Sequence, residues 1–194
     1  MILQNILYVG DSFGVGNNGI GNRLNNLSAD WTVDFTQSVS GSSLGPNVLA
    51  GFDCSPFQGI VVQRGINNIA GGNSTTVEDL STAMLGVLAN INETAIPGTP
   101  VLLADVSPGS NHPTAWSAAR ETLRLAWKPA LQEIADSESH YHYWGIDAVL
   151  DADQDGVLDT GFTTASNDIH PNGCLLYTSP SPRDLSTSRM PSSA

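Results

Sequence analysis

Ser12 stands in the pentapeptide GDSFG, residues 10–14, directly after the apolar run of residues 6–9. A serine there ends a buried strand. Flanking small residues let the backbone turn sharply and expose the hydroxyl, the arrangement a serine nucleophile needs. A nucleophilic hydroxyl needs a base to take its proton, and acyl transfer also needs donors aimed at the developing oxyanion. Three later segments bear on this: SVSGSS at residues 38–43, RGINN at residues 64–68 and NDIHPNG at residues 167–173. Singly, each is an ordinary turn or loop segment. It is their order and spacing together that point to one site.

Taken in order, the Ser, Gly, Asn and His segments resemble the four blocks of the SGNH, or GDSL-type, hydrolases, over about residues 3–173. The resemblance implies that Ser12 is the nucleophile and His170 the base. It implies a three-part oxyanion hole: the backbone amides of Ser12 and Gly41 and the side-chain amide of Asn67. The implied reaction is hydrolysis of a carboxylic ester, short-chain or acetyl, on a small molecule or carbohydrate, through an acyl-enzyme and without a required cofactor. Two positions depart from the family pattern. An aspartate is expected three residues before the histidine, where this chain has Asn167, while Asp168 is only two before it. Asparagine in the acid's place can hold imidazole in the wrong tautomer, at a cost of roughly 10⁴ in kcat. Asp168 is therefore the expected triad acid, reached through a one-residue bulge, with a backbone carbonyl as the other group that could orient the imidazole. The third block's usual Gly-x-Asn-Asp is here Gly65-Ile66-Asn67-Asn68, which changes a supporting residue and keeps the donor.

The alternative is a noncatalytic calcium-binding or carbohydrate-binding domain with a degenerate hydrolase site. Its basis is DADQDGVLD, residues 151–159, with Asp151, Asp153, Asp155 and Asp159 at positions one, three, five and nine and Val157 supplying a carbonyl at seven. These are ligand positions of a calcium loop, but Phe162 replaces the bidentate glutamate at twelve. A calcium there would be structural, bracing the loop that delivers His170. Two other readings of the glycines are weaker. Gly14, Gly16 and Gly19 match a dinucleotide-binding spacing, but the strand ends at Gly10. The α/β-hydrolase elbow also reads Gly-x-Ser-x-Gly, but that fold builds several strands before its serine.

The elements that must position these residues alternate between the two periodicities. Residues 3–9, 31–35, 59–63, 101–106 and 141–146 read as strands, the second at an edge or half covered. Residues 20–27 read as a short helical segment. Thr75 with Glu78 forms a capping box before a helix with Val77, Leu80, Met84, Val87, Leu88 and Ile91 on one face, closed by Pro97 and Gly98. A further helix, residues 114–135, is expected to bury Trp116, Ala119, Leu123, Ala126, Ala130 and Ile134, with Pro129 kinking or dividing it. Strands alternating with helices predict a three-layer α/β/α sandwich on a central, mainly parallel sheet of about five strands, flavodoxin-like in type. Such sheets bind ligands beyond the carboxyl ends of their strands, and all four blocks lie at those ends or in later loops, so one site can gather them.

The 194 residues suit one domain, 1–174, followed by a segment, 175–194, in which Ser, Pro and Thr supply eleven positions. That composition predicts disorder and a non-native origin. A net charge of −12 disfavours nucleic acid and anionic membranes as partners. No apolar run approaches the roughly 20 residues of a membrane span. Residues 1–9 carry no leader pattern, and the calcium-like loop leans toward an extracellular setting; oligomeric state is not legible. Cys54 and Cys174 allow one bridge at most.

Overall fold

The computed structural model describes residues 4–11, 30–109 and 116–146. Five strands form one parallel sheet: β1 (Gln4–Gly10), β2 (Trp31–Asp34), β3 (Gly59–Gln63), β4 (Val101–Ala104) and β5 (Tyr141–Trp144), in the order β2-β1-β3-β4-β5. Three helices are described: α1 (Ile66–Gly71), α2 (Val77–Thr94) and α3 (Ala118–Asp136). This is the flavodoxin-like doubly wound order, whose chain reverses direction of travel between β1 and β3. The switch point therefore lies beside the carboxyl ends of those two strands, where Gly10 pairs with Gln63.

The central strands are buried because both faces are covered, and their sequences are accordingly apolar throughout rather than alternating. Leu7, Tyr8, Val9, Ile60, Val62, Val101 and Leu103 form the sheet's share of the core. β2 takes the edge, as its alternating pattern predicts; Val33 faces inward and Thr32 outward. Its last residue is Asp34 rather than Phe35, and β4 and β5 end two residues earlier than expected, at Ala104 and Trp144. Ladder pairing stops there. The following residues turn toward the switch point instead.

Helix α2 buries Leu80, Ala83, Met84, Val87, Leu88 and Ile91, close to the expected stripe, while Val77 is half-buried. Its capping box is one residue further on than Thr75 and Glu78. The Thr76 hydroxyl accepts from the Asp79 amide at 3.1 Å, and the Asp79 carboxylate accepts from the Thr76 amide at 3.2 Å. Asp79 also accepts from the Thr75 amide at 3.1 Å, and these hydrogen bonds hold its carboxyl below the usual range. The shorter aspartate serves the reciprocal role as well as glutamate would.

Helix α3 departs more. It begins after Ser117, whose hydroxyl accepts from the Arg120 amide at 3.3 Å, and runs uninterrupted through Pro129, which is exposed. It buries Arg124, Trp127, Leu131, Ile134 and Ala135, whereas Ala119 and Ala126 are exposed and Leu123 and Ala130 only half-buried. The buried stripe is turned by about one residue from the expected one. Two causes are visible: Trp116 lies before the N-cap, so it sets no helical phase, and Arg124 occupies a core position. Helix α3 packs on α2, on β5 and on α1. Cys54 is buried; Cys174, the predicted helical segment at 20–27 and the segment 175–194 lie outside the described residues. Among the described residues, no helix is long and apolar enough to cross a membrane.

Candidate active site

The β1 strand delivers Gly10 and Asp11 to the carboxyl edge of the sheet, both buried. A Cβ at position 10 would lie 2.5 Å from the Tyr8 ring and 3.2 Å from the Ser38 hydroxyl, so glycine leaves room for the Tyr8 ring and a close approach of Ser38. The Ser38 hydroxyl accepts from the Gly10 amide and donates to the Tyr8 carbonyl, both at 3.0 Å. The Val39 amide adds a bond to the Gly10 carbonyl at 3.3 Å. In this way the second block is tied directly onto the strand that leads to Ser12.

From there the chain turns through Gly41, whose φ of 74° is a left-handed conformation suited to glycine. This turn is held from the other side by the third block. Arg64, at the end of β3, donates from one terminal nitrogen to the Gln37 carbonyl at 2.6 Å and from the other to the Ser43 carbonyl at 3.2 Å. The Asn67 side-chain amide donates to the Ser42 carbonyl at 3.0 Å. Asn68 accepts from the Leu44 amide at 2.6 Å and donates to the Leu44 carbonyl at 3.0 Å, with a further donation to the Ser74 hydroxyl at 3.2 Å. Gly65 precedes α1 as its N-cap, so the short helix presents Asn67 and Asn68 in its first turn.

Of the predicted site residues, Gly41 and Asn67 are therefore brought to the same turn, joined through Ser42. Ser12, His170 and Asp168 lie outside the described residues, as does Asn167. So do Asp151, Asp153, Asp155, Val157 and Asp159. Among the described residues, no group of three or more His, Cys, Asp or Glu side chains is placed to hold a metal ion.

Several residues here escaped notice in the sequence. Asp11, Gln63, Arg64, Asp105 and Ser107 line a small cleft at the switch point with room of about 10 Å³, on the order of one water molecule. All five are buried. Asp105 accepts from the Tyr143 hydroxyl and from the Ile146 amide, each at 2.7 Å, so it locks the chain leaving β5 against the end of β4. The Tyr8 hydroxyl donates to the Gln63 side-chain carbonyl. Burial, and secondarily the Asp11 carboxylate, push the Tyr8 phenol well above its ordinary value. Burial lowers the Arg64 guanidinium pKa, and the nearby Asp11 charge opposes that shift. A visible signal existed: RGINN and ADVS place charged residues immediately after buried apolar strands, where a charge is not a core residue and faces a cleft instead.

Val106 also lines the cleft, and its carbonyl accepts from Arg124 at 3.3 Å; Arg124 donates as well to Glu121 from Nε and a terminal nitrogen, the latter at 2.6 Å. Glu121 also accepts from the Trp116 indole at 2.9 Å, and Trp116 lies over Gly109. A second cavity, about 230 Å³, opens at the other edge of the sheet between Asn92, Ile96, Thr99, Glu138 and His140. It lies at the amino ends of β4 and β5, away from the blocks.

No family model and no curated protein sequence matches the chain. Solved structures do. A carbohydrate acetylesterase family member from Sinorhizobium meliloti is similar with a TM-score of 0.68 at 15% identity, covering 89% of this chain and 92% of that one. A member of the lipolytic G-D-S-L family from Veillonella parvula aligns with a TM-score of 0.67 at 15% identity, over 90% and 92% of the two chains. The SGNH-hydrolase family esterase AlinE4 aligns with a TM-score of 0.54 at 17% identity, over 71% and 75%. The chain has the SGNH-hydrolase fold. Within this fold, segments 38–43 and 64–68 meet beside the carboxyl end of β1, at the topological switch point of the sheet. Asparagine at position 68 has a physical reason: an aspartate could accept from the Leu44 amide but could not donate to its carbonyl.

Proposed function

We propose that the protein is a serine ester hydrolase that cleaves a short-chain or acetyl ester, on a small molecule or carbohydrate, through an acyl-enzyme on Ser12. The observation that carries the proposal is the bond from the Asn67 amide to the Ser42 carbonyl, next to Gly41, at the edge where β1 hands over to Asp11 and Ser12. A side-chain amide has two N–H donors. One braces the turn; the other is left for an oxyanion. The fold likeness to esterases, one of them a carbohydrate acetylesterase family member, supports the same reaction class.

In the proposed reaction Ser12 Oγ attacks the ester carbonyl while His170 takes its proton. Negative charge gathers on the carbonyl oxygen, which receives N–H donors from Ser12, Gly41 and Asn67. His170 then returns the proton to the leaving alcohol, and water repeats the sequence to free the acid. Asp168 holds the imidazole in the tautomer that can accept from serine. The Gly41 amide and the Asn67 side chain need no reorganisation during the reaction, because their turn is already cross-braced, and preorganised donors of this kind supply much of the rate in acyl transfer.

The test is hydrolysis of p-nitrophenyl acetate together with labelling by a fluorophosphonate, on the wild type, Ser12→Ala and Asn67→Ala. Turnover and labelling should both vanish in Ser12→Ala, and kcat should fall by roughly 10²- to 10³-fold in Asn67→Ala. Turnover that is indifferent to Ser12→Ala would turn the balance to a noncatalytic binding domain.

A further inference from the structure

We propose that Arg64 is a positioning residue for the hydrolytic site, gripping both ends of the Gly41 turn so that the turn's amide stays aimed at the oxyanion. The proposal rests on the ester-hydrolase reading above. Its observations are separate from those for Asn67 and Asn68.

Arg64 is only 6% exposed, although arginine is among the residues most rarely buried. Its two terminal nitrogens reach carbonyls six residues apart in the chain, Gln37 at 2.6 Å and Ser43 at 3.2 Å. Those carbonyls bracket Gly41. A rigid planar fork can hold two such acceptors at a fixed separation, which a single ammonium on a flexible stem cannot. The Arg64 Nε is buried and without a hydrogen-bond partner, as is the Ser107 hydroxyl, and both residues line the same cleft as Asp11. The guanidinium thus stands among three segments at once: the end of β1 through Asp11, the Gly41 turn through two carbonyls, and its own strand β3.

This placement has a cost that a purely structural role does not explain. Burying a guanidinium with one donor unmet is unfavourable, and an apolar residue at the end of β3 would fill the space without it. What an apolar residue could not do is hold residues 37 and 43 at a set distance. The turn itself is exposed at Val39, Ser40 and Gly41, so no packing from outside fixes it. Asn67 and Asn68 brace only its later half, at Ser42 and Leu44. Within the turn the Ser42 hydroxyl and amide close on the Val39 carbonyl at 2.5 and 3.1 Å, and Arg64 adds a tie from β3 to Gln37, ahead of that closure.

The test compares wild type, Arg64→Lys and Arg64→Ala for kcat and KM on p-nitrophenyl acetate, with melting curves and with added guanidinium at millimolar concentration. In both variants kcat should fall by about 10- to 100-fold, less than the ~10²- to 10³-fold for deleting a donor outright, with KM changed by less than about threefold. Guanidinium should restore part of the Arg64→Ala rate, and hydrogen exchange of residues 37–44 should quicken in both. If Arg64→Ala does not melt cooperatively, Arg64→Lys, which keeps the charge, decides alone. Ser12-dependent turnover with kcat unchanged in Arg64→Lys overturns the positioning role and leaves the hydrolase reading standing. Turnover that does not depend on Ser12 overturns both.

Discussion

Asn68 closes both backbone groups of Leu44, accepting from its amide at 2.6 Å and donating to its carbonyl at 3.0 Å. The pair forms a small ladder between the first turn of α1 and the chain leaving the Gly41 turn. Asparagine supplies both the acceptor and the donor that this ladder uses, whereas aspartate would supply only the acceptor.

Replacing Asn68 by aspartate keeps the acceptor and deletes the donor. A carboxylate oxygen would then face the Leu44 carbonyl in a buried site, and the Ser74 hydroxyl would lose the amide that donates to it. Leaving such groups unsatisfied costs about 1–3 kcal/mol. Urea unfolding of Asn68→Asp should show a midpoint lowered accordingly with the slope unchanged; an equal or higher midpoint would remove the ladder's importance.

The triad acid is tested by a pair of substitutions. If Asp168 orients His170, then Asp168→Asn should reduce kcat by roughly 10⁴-fold while Asn167→Ala leaves it within severalfold. The reverse pattern would assign orientation to position 167. Equal indifference would assign it to a backbone carbonyl, and the measurement in each case is kcat at saturating substrate.

Glu121 serves two buried donors, the Arg124 guanidinium and the Trp116 indole. Arg124 is 1% exposed and Glu121 18%, so removing the carboxylate takes the charged partner from a buried cation. Glu121→Ala should lower stability by about 3 kcal/mol, the order expected for breaking a buried pair from one side. The double replacement Glu121→Leu with Arg124→Met should recover only part of that, because the Val106 carbonyl and the Trp116 N–H stay unpaired. Full recovery in thermal melts would show those two bonds to be dispensable.

Tyr8 predicts how the fold fails in alkali. Its folded pKa is raised well above its ordinary value of 10.0, by burial first and the Asp11 carboxylate second. Above about pH 10 the unfolded phenol loses its proton while the buried one keeps it, so the unfolded state binds fewer protons and stability falls as pH rises. Below that pH the contribution is complete. Wild-type melting temperature should therefore drop steeply above pH 10, and Tyr8→Phe should show a shallower decline over the same window; parallel curves would exclude Tyr8 as the cause.

What the sequence determined by itself is local. Apolar runs ending in glycine and polar residues marked the strands and put the Ser, Gly and Asn blocks after the carboxyl ends of the first three, and β3 spans the residues that its pattern outlines, Gly59–Gln63. The spacing of Leu80, Met84, Val87, Leu88 and Ile91 marked the buried face of α2. Both signals come from backbone periodicity, which any neighbour of suitable shape would satisfy. Only the tertiary structure decided which partners were met. It turned α3 by about one residue, because Arg124 could enter the core once Glu121 and the Val106 carbonyl were there to receive it. It also gave Arg64 its carbonyls, 21 and 27 positions away, which no local pattern can specify. A polar group's burial depends on whether its hydrogen bonds are met after folding, and that is a property of the assembled sheet edge, not of the segment that carries the residue.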